Sequence, residues 1–217
     1  MSSDPLHATI STFDETWVET IRSATERVAA LVPPVLAGSS PRLKIAWDAS
    51  PALDLLRKER FTDALEKLHD RPQESKHDPD TLLLEAVLLV QSGQLAVAEI
   101  ACQRLIATDE LNAGAHYLLA LCREHCGDPD GAGESDRTAA RLDPAFAMPR
   151  LHLGLLARHV RDSETAAHEL GHALILLKRE EASRILLFGG GFSREALIAL
   201  CQSARRRCED RLRVRAT

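Results

Sequence analysis

RFTDALEKL at residues 60–68, GQLAVAEIA at 93–101, GDPDGAGES at 127–135 and RDSETAAHEL at 161–170 share one feature. Each carries a small residue just after a turn: Ala64, Ala98, Ala132 and Ala166. These four alanines are each 34 residues apart, and a second series, Ala52, Ala86, Ala120 and Gly154, keeps the same step. A small residue at a fixed phase lets one helix approach another closely. Two phase-locked series therefore describe a stack of helix pairs rather than a single bundle. The composition agrees. Hydrophobic residues make up 45% of the 217-residue chain and aromatics only 4%, so the core is Ala, Leu, Val and Ile. The 11 glycines and 10 prolines are too few for the turns of an all-β fold.

A 34-residue period of paired helices resembles the tetratricopeptide repeat. The resemblance implies an all-α fold, an α-solenoid of about four helix pairs wound as a right-handed superhelix with capping helices at both ends. In that family small residues stand at the eighth and twentieth positions, and a proline often ends the second helix. Pro144 in RLDPAFA holds that place in the third unit, and Glu110 in TDELN holds it in the second. The units read 45–78, 79–112, 113–146 and 147–180. The first is worn. Ser50-Pro51 is a helix start, with serine as N-cap and proline at the first helical position, and it cuts the first helix short. Its exit, HDRPQESKHDPD, reads as a polar loop.

Flanks surround the array. Residues 1–12 read as a disordered leader. Phe13, Trp17, Ile21, Ala24, Val28 and Leu31 fall at helical spacing, which predicts an amphipathic helix over 13–32, followed by a linker to residue 44. Residues 181–217 contain an apolar run, a glycine turn, an N-cap at Ser193, a helix to about residue 210 and a basic tail. Leu197, Leu200, Cys201, Ala204 and Cys208 share one face of that helix. An array needs its open ends covered, which is the expected role of both flanking helices.

The net charge of −5 argues against a nucleic-acid partner. No apolar run approaches the ~18 residues needed to span a membrane, so no membrane insertion is expected. Cys102, Cys122, Cys126, Cys201 and Cys208 are odd in number and lack a disulfide framework's spacing. That points to a reducing, cytoplasmic setting.

LDPAFAMPRLHLGLLARHVRDSETAAHELGHALILL at 142–177 and LLFGGGFSREALIALC at 186–201 resemble something narrower. They are similar to the tetratricopeptide region at the C-terminus of CheR-type chemoreceptor (protein-glutamate) methyltransferases of Wsp- and Frz-type chemosensory systems. The similarity is best over residues 140–204. It implies a non-catalytic regulatory module that binds the chemoreceptor cytoplasmic region or its own methyltransferase catalytic domain and controls access to receptor glutamates. S-adenosylmethionine would belong to that catalytic domain. Nothing here resembles it, since no strand leads into a glycine-rich turn and helix with further alternating strands. The chain therefore reads as the regulatory module without its enzyme, a fragment or a stand-alone relative, with no cofactor of its own. A generic tetratricopeptide scaffold in an unrelated complex is the alternative.

In such arrays the first helices line a concave groove. The register places Leu83, Tyr117 and Leu151, then Val87, Leu121 and Leu155, then Val90, Glu124 and Arg158 along it. This set is mostly apolar, and an apolar groove calls for an apolar occupant. A partner's amphipathic helix is one. The chain's own flanking helix, residues 13–32 or 194–208, is the other, and self-occlusion is the favoured reading.

His168, Glu169 and His172 spell HExxH inside TAAHELGHALILL, the zinc-metallopeptidase template. The repeat register argues against a catalytic or metal role. Leu170 is the core residue there, and the two histidines fall on positions facing away from the groove, where other units carry Ile100, Arg104, Glu134 and Thr138. A metzincin continuation would need glycine at 175 and histidine at 178, but the chain has Ile175 and Lys178. The only downstream acid near a thermolysin-like distance is Glu195, which suits a helix first turn. FGGGFS at 188–193 lacks a P-loop lysine and reads as a left-handed turn. Cys122 and Cys126, four apart, have no second pair for a zinc site and read as small hydrophobes. The arginines of SARRRCEDRLRVRAT read as a solvated face.

Overall fold

A computed structural model describes residues 48–75 and 77–216. The leader, the helix read at 13–32 and its linker lie outside the described residues. The described chain is all-helical, with no strand among the described residues. Its α-helices are α1 (Ser50–Arg57), α2 (Phe61–His69), α3 (Pro79–Gln91), α4 (Leu95–Thr108), α5 (Ala113–His125), α6 (Pro129–Leu142), α7 (Ala147–His159), α8 (Ser163–Leu177), α9 (Ala182–Phe188) and α10 (Arg194–Ala216). The first helices α3, α5 and α7 start at residues 79, 113 and 147, and the second helices α4, α6 and α8 at 95, 129 and 163. Both series keep the 34-residue step. From α1 to α8 each helix packs on its predecessor, so the fold is a tetratricopeptide-type α-solenoid.

The small-residue series explains the close packing. Ala52, Ala64, Ala86, Ala98, Ala120, Ala132 and Ala166 have no exposed surface. Gly154 goes further: a Cβ there would stand 2.6 Å from Leu170 Cγ, so α7 and α8 meet without even a methyl between them.

Turn chemistry repeats with the same step. Glu59, Gly93, Gly127 and Arg161, again 34 apart, all take positive φ where a first helix turns into a second. Glycine adopts that conformation freely, whereas Glu59 and Arg161 bear about 1 kcal/mol of strain each. Asp78, Asn112, Asp128 and Asp162 cap the following helices, accepting from the N–H of Thr81, Ala115, Gly131 and Thr165 at 3.0, 3.0, 2.9 and 3.0 Å. At α7 the cap position is Phe146, which has no side-chain acceptor. Glu180, from the far side of α8, accepts from Ala147 N–H at 2.7 Å instead.

The first unit is short, as its sequence suggests, with helices of 8 and 9 residues against 13 to 15 in the later units. Ser50 is the first helical residue rather than the cap, and Asp48 accepts from its N–H at 2.9 Å. The exit from α2 contains one 3-10 turn, Gln73–Ser75. Arg71, buried there, donates to Leu68 O and pairs with Glu85, tying the first unit to α3.

Two features of the C-terminal segment differ from the sequence reading. The apolar run before the glycines is a helix, α9. The basic segment is no tail, because α10 runs unbroken to Ala216. Ser193 caps α10, accepting from Ala196 N–H at 3.2 Å. Leu197, Cys201, Ala204 and Cys208 are buried where α10 packs along α8, whereas Leu200 is exposed at the rim. Cys126 is exposed, and Cys102 and Cys122 are buried. No helix among the described residues is long and apolar enough to cross a membrane.

Candidate functional site

The residues expected to line the groove sit on α3, α5 and α7. Val87, Tyr117 and Leu151 are buried, and Leu83, Val90, Leu121, Glu124, Leu155 and Arg158 are half-buried. The structure gives the burial of Tyr117 a specific cause. α9 leaves the end of α8 and lies across α3, α5 and the start of α7. Its Phe188 ring packs edge-on against Tyr117, with centroids 6.0 Å apart, and against Phe146 at 5.0 Å. Tyr117 and Phe146 themselves meet edge-on at 5.4 Å. Gly114 leaves the space for this ring: a Cβ there would stand 2.8 Å from Phe188 Cζ and 3.2 Å from Leu83 Cδ1. Three aromatics with edge-to-face geometry gain about 0.5–1.5 kcal/mol per pair beyond area burial.

Polar contacts hold the same helix. A helix C-terminus presents carbonyls without helical partners. Gln91 Nε2 donates to Leu187 O at 3.2 Å, and Tyr117 Oη donates to Phe188 O at 3.4 Å. At the other end Arg184 pairs with Asp143 at 2.9 Å and Glu180 at 3.2 Å, and its guanidinium lies 4.3 Å over the Phe146 ring. Burial pushes the Glu180 carboxyl up, against the Ala147 N–H and Arg184. Gly190 and Gly191, with φ of 61° and 80°, then turn the chain back toward α10. The left-handed reading of FGGGFS therefore holds for its second and third glycines. A cavity of about 240 Å³ remains beside the helix, lined by Val90, Gln91, Leu118, Leu121, Leu187 and Phe188.

The segment in the groove is thus residues 182–188. The candidate 194–208 lies instead in α10 against α8, because its buried stripe of Leu197, Cys201, Ala204 and Cys208 matches that outer helix. The candidate 13–32 lies outside the described residues.

A charged cluster sits behind the groove. His152 on α7 stands 2.6 Å from Asp136 Oδ2 on α6 through Nδ1 and 2.9 Å from Glu124 Oε2 on α5 through Nε2. The Asp136 contact is short but poorly aligned as a hydrogen bond, so it is best described as an ion pair. Burial disfavours the imidazolium, but the contacts with Asp136 and Glu124 more than offset this and push its pKa up to about 9. Burial pushes the Asp136 carboxyl up to about 6 against the pull of His152, and the His152 hydrogen bond holds Glu124 down. Both core members break the register. Asp136 stands where Cys102 and Leu170 stand in neighbouring units, and His152 stands where Leu84 and Leu118 do. That departure is the sequence signal that reveals them.

His168, Glu169 and His172 also come together. One ligand atom from each lies within 4.8 Å of the others, and the two imidazole centroids are 4.4 Å apart. Both histidines are exposed and Leu170 is fully buried. The Glu169 carboxylate is engaged by Arg150 Nη1 on α7, at 2.9 and 3.3 Å, in an ion pair. The group lies on the outer surface of α8 and apart from the groove.

No protein-family model matches the sequence, and no curated protein does. Solved structures do. PcrH in complex with the chaperone binding region of PopD is similar at a TM-score of 0.52 and 20% identity, over 61% of this chain and 91% of that one. Uncomplexed PcrH from Pseudomonas aeruginosa matches at 0.52 and 20%, over 62% and 94%. MamA matches at 0.52 and 16%, over 79% and 99%. Both are helical-repeat proteins of the tetratricopeptide type, and at these identities the likeness establishes the fold alone.

Proposed function

We propose that this chain is a non-catalytic protein–protein interaction module whose concave groove takes an apolar segment of a partner protein. The observation that supports this reading is the aromatic seat on α5 and α7. Tyr117, Phe146 and Gly114 form a fitted pocket for a large side chain presented by a helix, and the residues around it offer donors to that helix's free carbonyls. The similar PcrH structure, which holds a binding region of PopD, is consistent with a peptide-binding use of such a fold.

More narrowly, the partner is the cytoplasmic region of a chemoreceptor or the catalytic domain of a receptor methyltransferase, and binding regulates access to receptor glutamates in the cytoplasm. S-adenosylmethionine chemistry belongs to that parent enzyme and not to these residues. The support is the resemblance read in residues 140–204, most of which build α7 to α10. A scaffold in an unrelated complex is the second reading, favoured by the breadth of proteins that share this fold. Calorimetric titration of the full chain with a receptor cytoplasmic fragment and with a methyltransferase catalytic domain tests the narrower reading. Saturable binding to either supports it. No heat with both removes it in favour of the scaffold.

A further inference from the structure

We propose that α9 is a resident occupant of the groove, and that the external ligand is a helical turn of a partner protein bearing an arginine or lysine four residues before a phenylalanine. This rests on the protein-binding reading above and specifies its chemistry.

The residues of α9 define the ligand. Arg184 and Phe188 are four apart, so they lie on one face of the helix. Arg184 pairs with Asp143 across the groove and stacks on Phe146, while its contact with Glu180 is an i,i+4 pair within its own segment. Phe188 fills the pocket formed by Leu83, Gly114, Tyr117 and Phe146. The two carbonyls at the helix end accept hydrogen bonds from groove side chains rather than from the chain's own next turn. Cation, aromatic and C-terminal carbonyls are thus each met by groove groups from units two to four, as a bound peptide's would be.

Three observations indicate an occupant that can leave. The helix has 7 residues, below the ~12 an isolated helix needs to hold its form. Ile185 and Phe188 are its only buried residues. Two left-handed glycines follow it, giving a swivel that no residue with a Cβ adopts freely. The groove is also underfilled, since about 240 Å³ remains beside Leu187 and Phe188. A partner helix longer than α9 gains contact there that α9 does not make. The remaining array does not depend on α9 for its stacking, because α10 packs on α8.

The test uses the full chain and a fluorescein-labelled peptide of residues 180–192, EEASRILLFGGGF, followed by anisotropy. In the wild type the tethered copy competes, and apparent affinity falls by the fraction of molecules with an empty groove. Phe188→Ala and Arg184→Glu in the protein loosen the tethered copy, and each should bind the peptide about tenfold tighter than wild type. The same changes made in the peptide should weaken it about tenfold. Arg184→Glu alters a half-buried rim residue and empties no pocket, so it decides the matter if Phe188→Ala fails to fold. Peptide binding no tighter to Arg184→Glu than to wild type, with melting still cooperative, overturns the proposal. So does a peptide that binds equally well without its phenylalanine. A receptor or methyltransferase fragment that binds wild type and Arg184→Glu equally also overturns it, while leaving the protein-binding reading intact. Peptide binding without binding of either fragment supports the occupant and removes only the chemosensory reading.

Discussion

Gly154→Ala should destabilise this protein, although alanine is the residue found at the equivalent places Ala52, Ala86 and Ala120. Two effects oppose. Alanine gains about 1 kcal/mol over glycine inside a helix. Against this, the new Cβ would lie 2.6 Å from Leu170 Cγ, 2.9 Å from Cδ2 and 3.1 Å from the Leu170 backbone nitrogen. The Cγ and the backbone nitrogen are not the free end of a flexible chain, and Leu170 has no exposed surface into which to move. Relief requires α8 to shift, which places the cost near the top of the ~1–3 kcal/mol range for overpacking. The net loss is about 2 kcal/mol, or a Tm lowered by about 4–8 °C for a domain of this size. Urea titration and thermal melting followed by far-UV circular dichroism measure it. Leu170→Ala supplies the control. Alone it costs about 2–5 kcal/mol, but it removes the clashing branch, so Gly154→Ala should become neutral or stabilising by about 1 kcal/mol in that background. A Gly154→Ala protein as stable as wild type, or an equal loss in both backgrounds, refutes the close-contact reasoning.

Four further outcomes follow from the geometry. His152 carries a folded-state pKa of about 9 against an ordinary 6.5, so its stabilisation is complete below pH 6.5 and is lost as pH rises to 9. The loss is on the order of 3 kcal/mol, and urea titrations across that range should show it flattened in His152→Gln. Arg161→Gly should raise stability by about 0.5–1 kcal/mol, because it relieves a positive φ of 62°; an unchanged urea midpoint would contradict the strain. Arg71→Met leaves half-buried Glu85 unpaired and should cost about 2 kcal/mol, with hydrogen exchange increasing first in α1 and α2. The double change His168→Ala, His172→Ala removes exposed side chains from the outer face of α8 and should change stability by less than about 0.5 kcal/mol and leave peptide binding unaltered, as checked by the same melts and anisotropy.

The helix pairs were legible because the repeat is written in the residues that cannot be large. Ala64, Ala98, Ala132 and Ala166 mark every helix contact, and a phase of 34 carries from one unit to the next without any knowledge of the fold. The short first unit, the left-handed glycines at 190 and 191 and the outward placement of His168 and His172 followed from the same local rules of capping, φ preference and register. These are nearest-neighbour properties, and sequence order maps directly onto them. The path of α9 is not such a property. Leu187 and Gln91 are 96 residues apart, and Phe188 and Tyr117 are 71 apart. Nothing in the local periodicity of ILLFGGG says which of two apolar surfaces it should cover. That choice depends on the shape of a groove that exists only once three units have stacked, and on the vacancy left at Gly114. The buried His152–Asp136 pair was half visible, as polar residues at apolar register positions, but its ion-pair geometry needed α6 and α7 side by side. Sequence alone determined a solenoid of stacked helix pairs; the tertiary structure decided what lies in its groove, because long-range shape complementarity is not encoded in spacing.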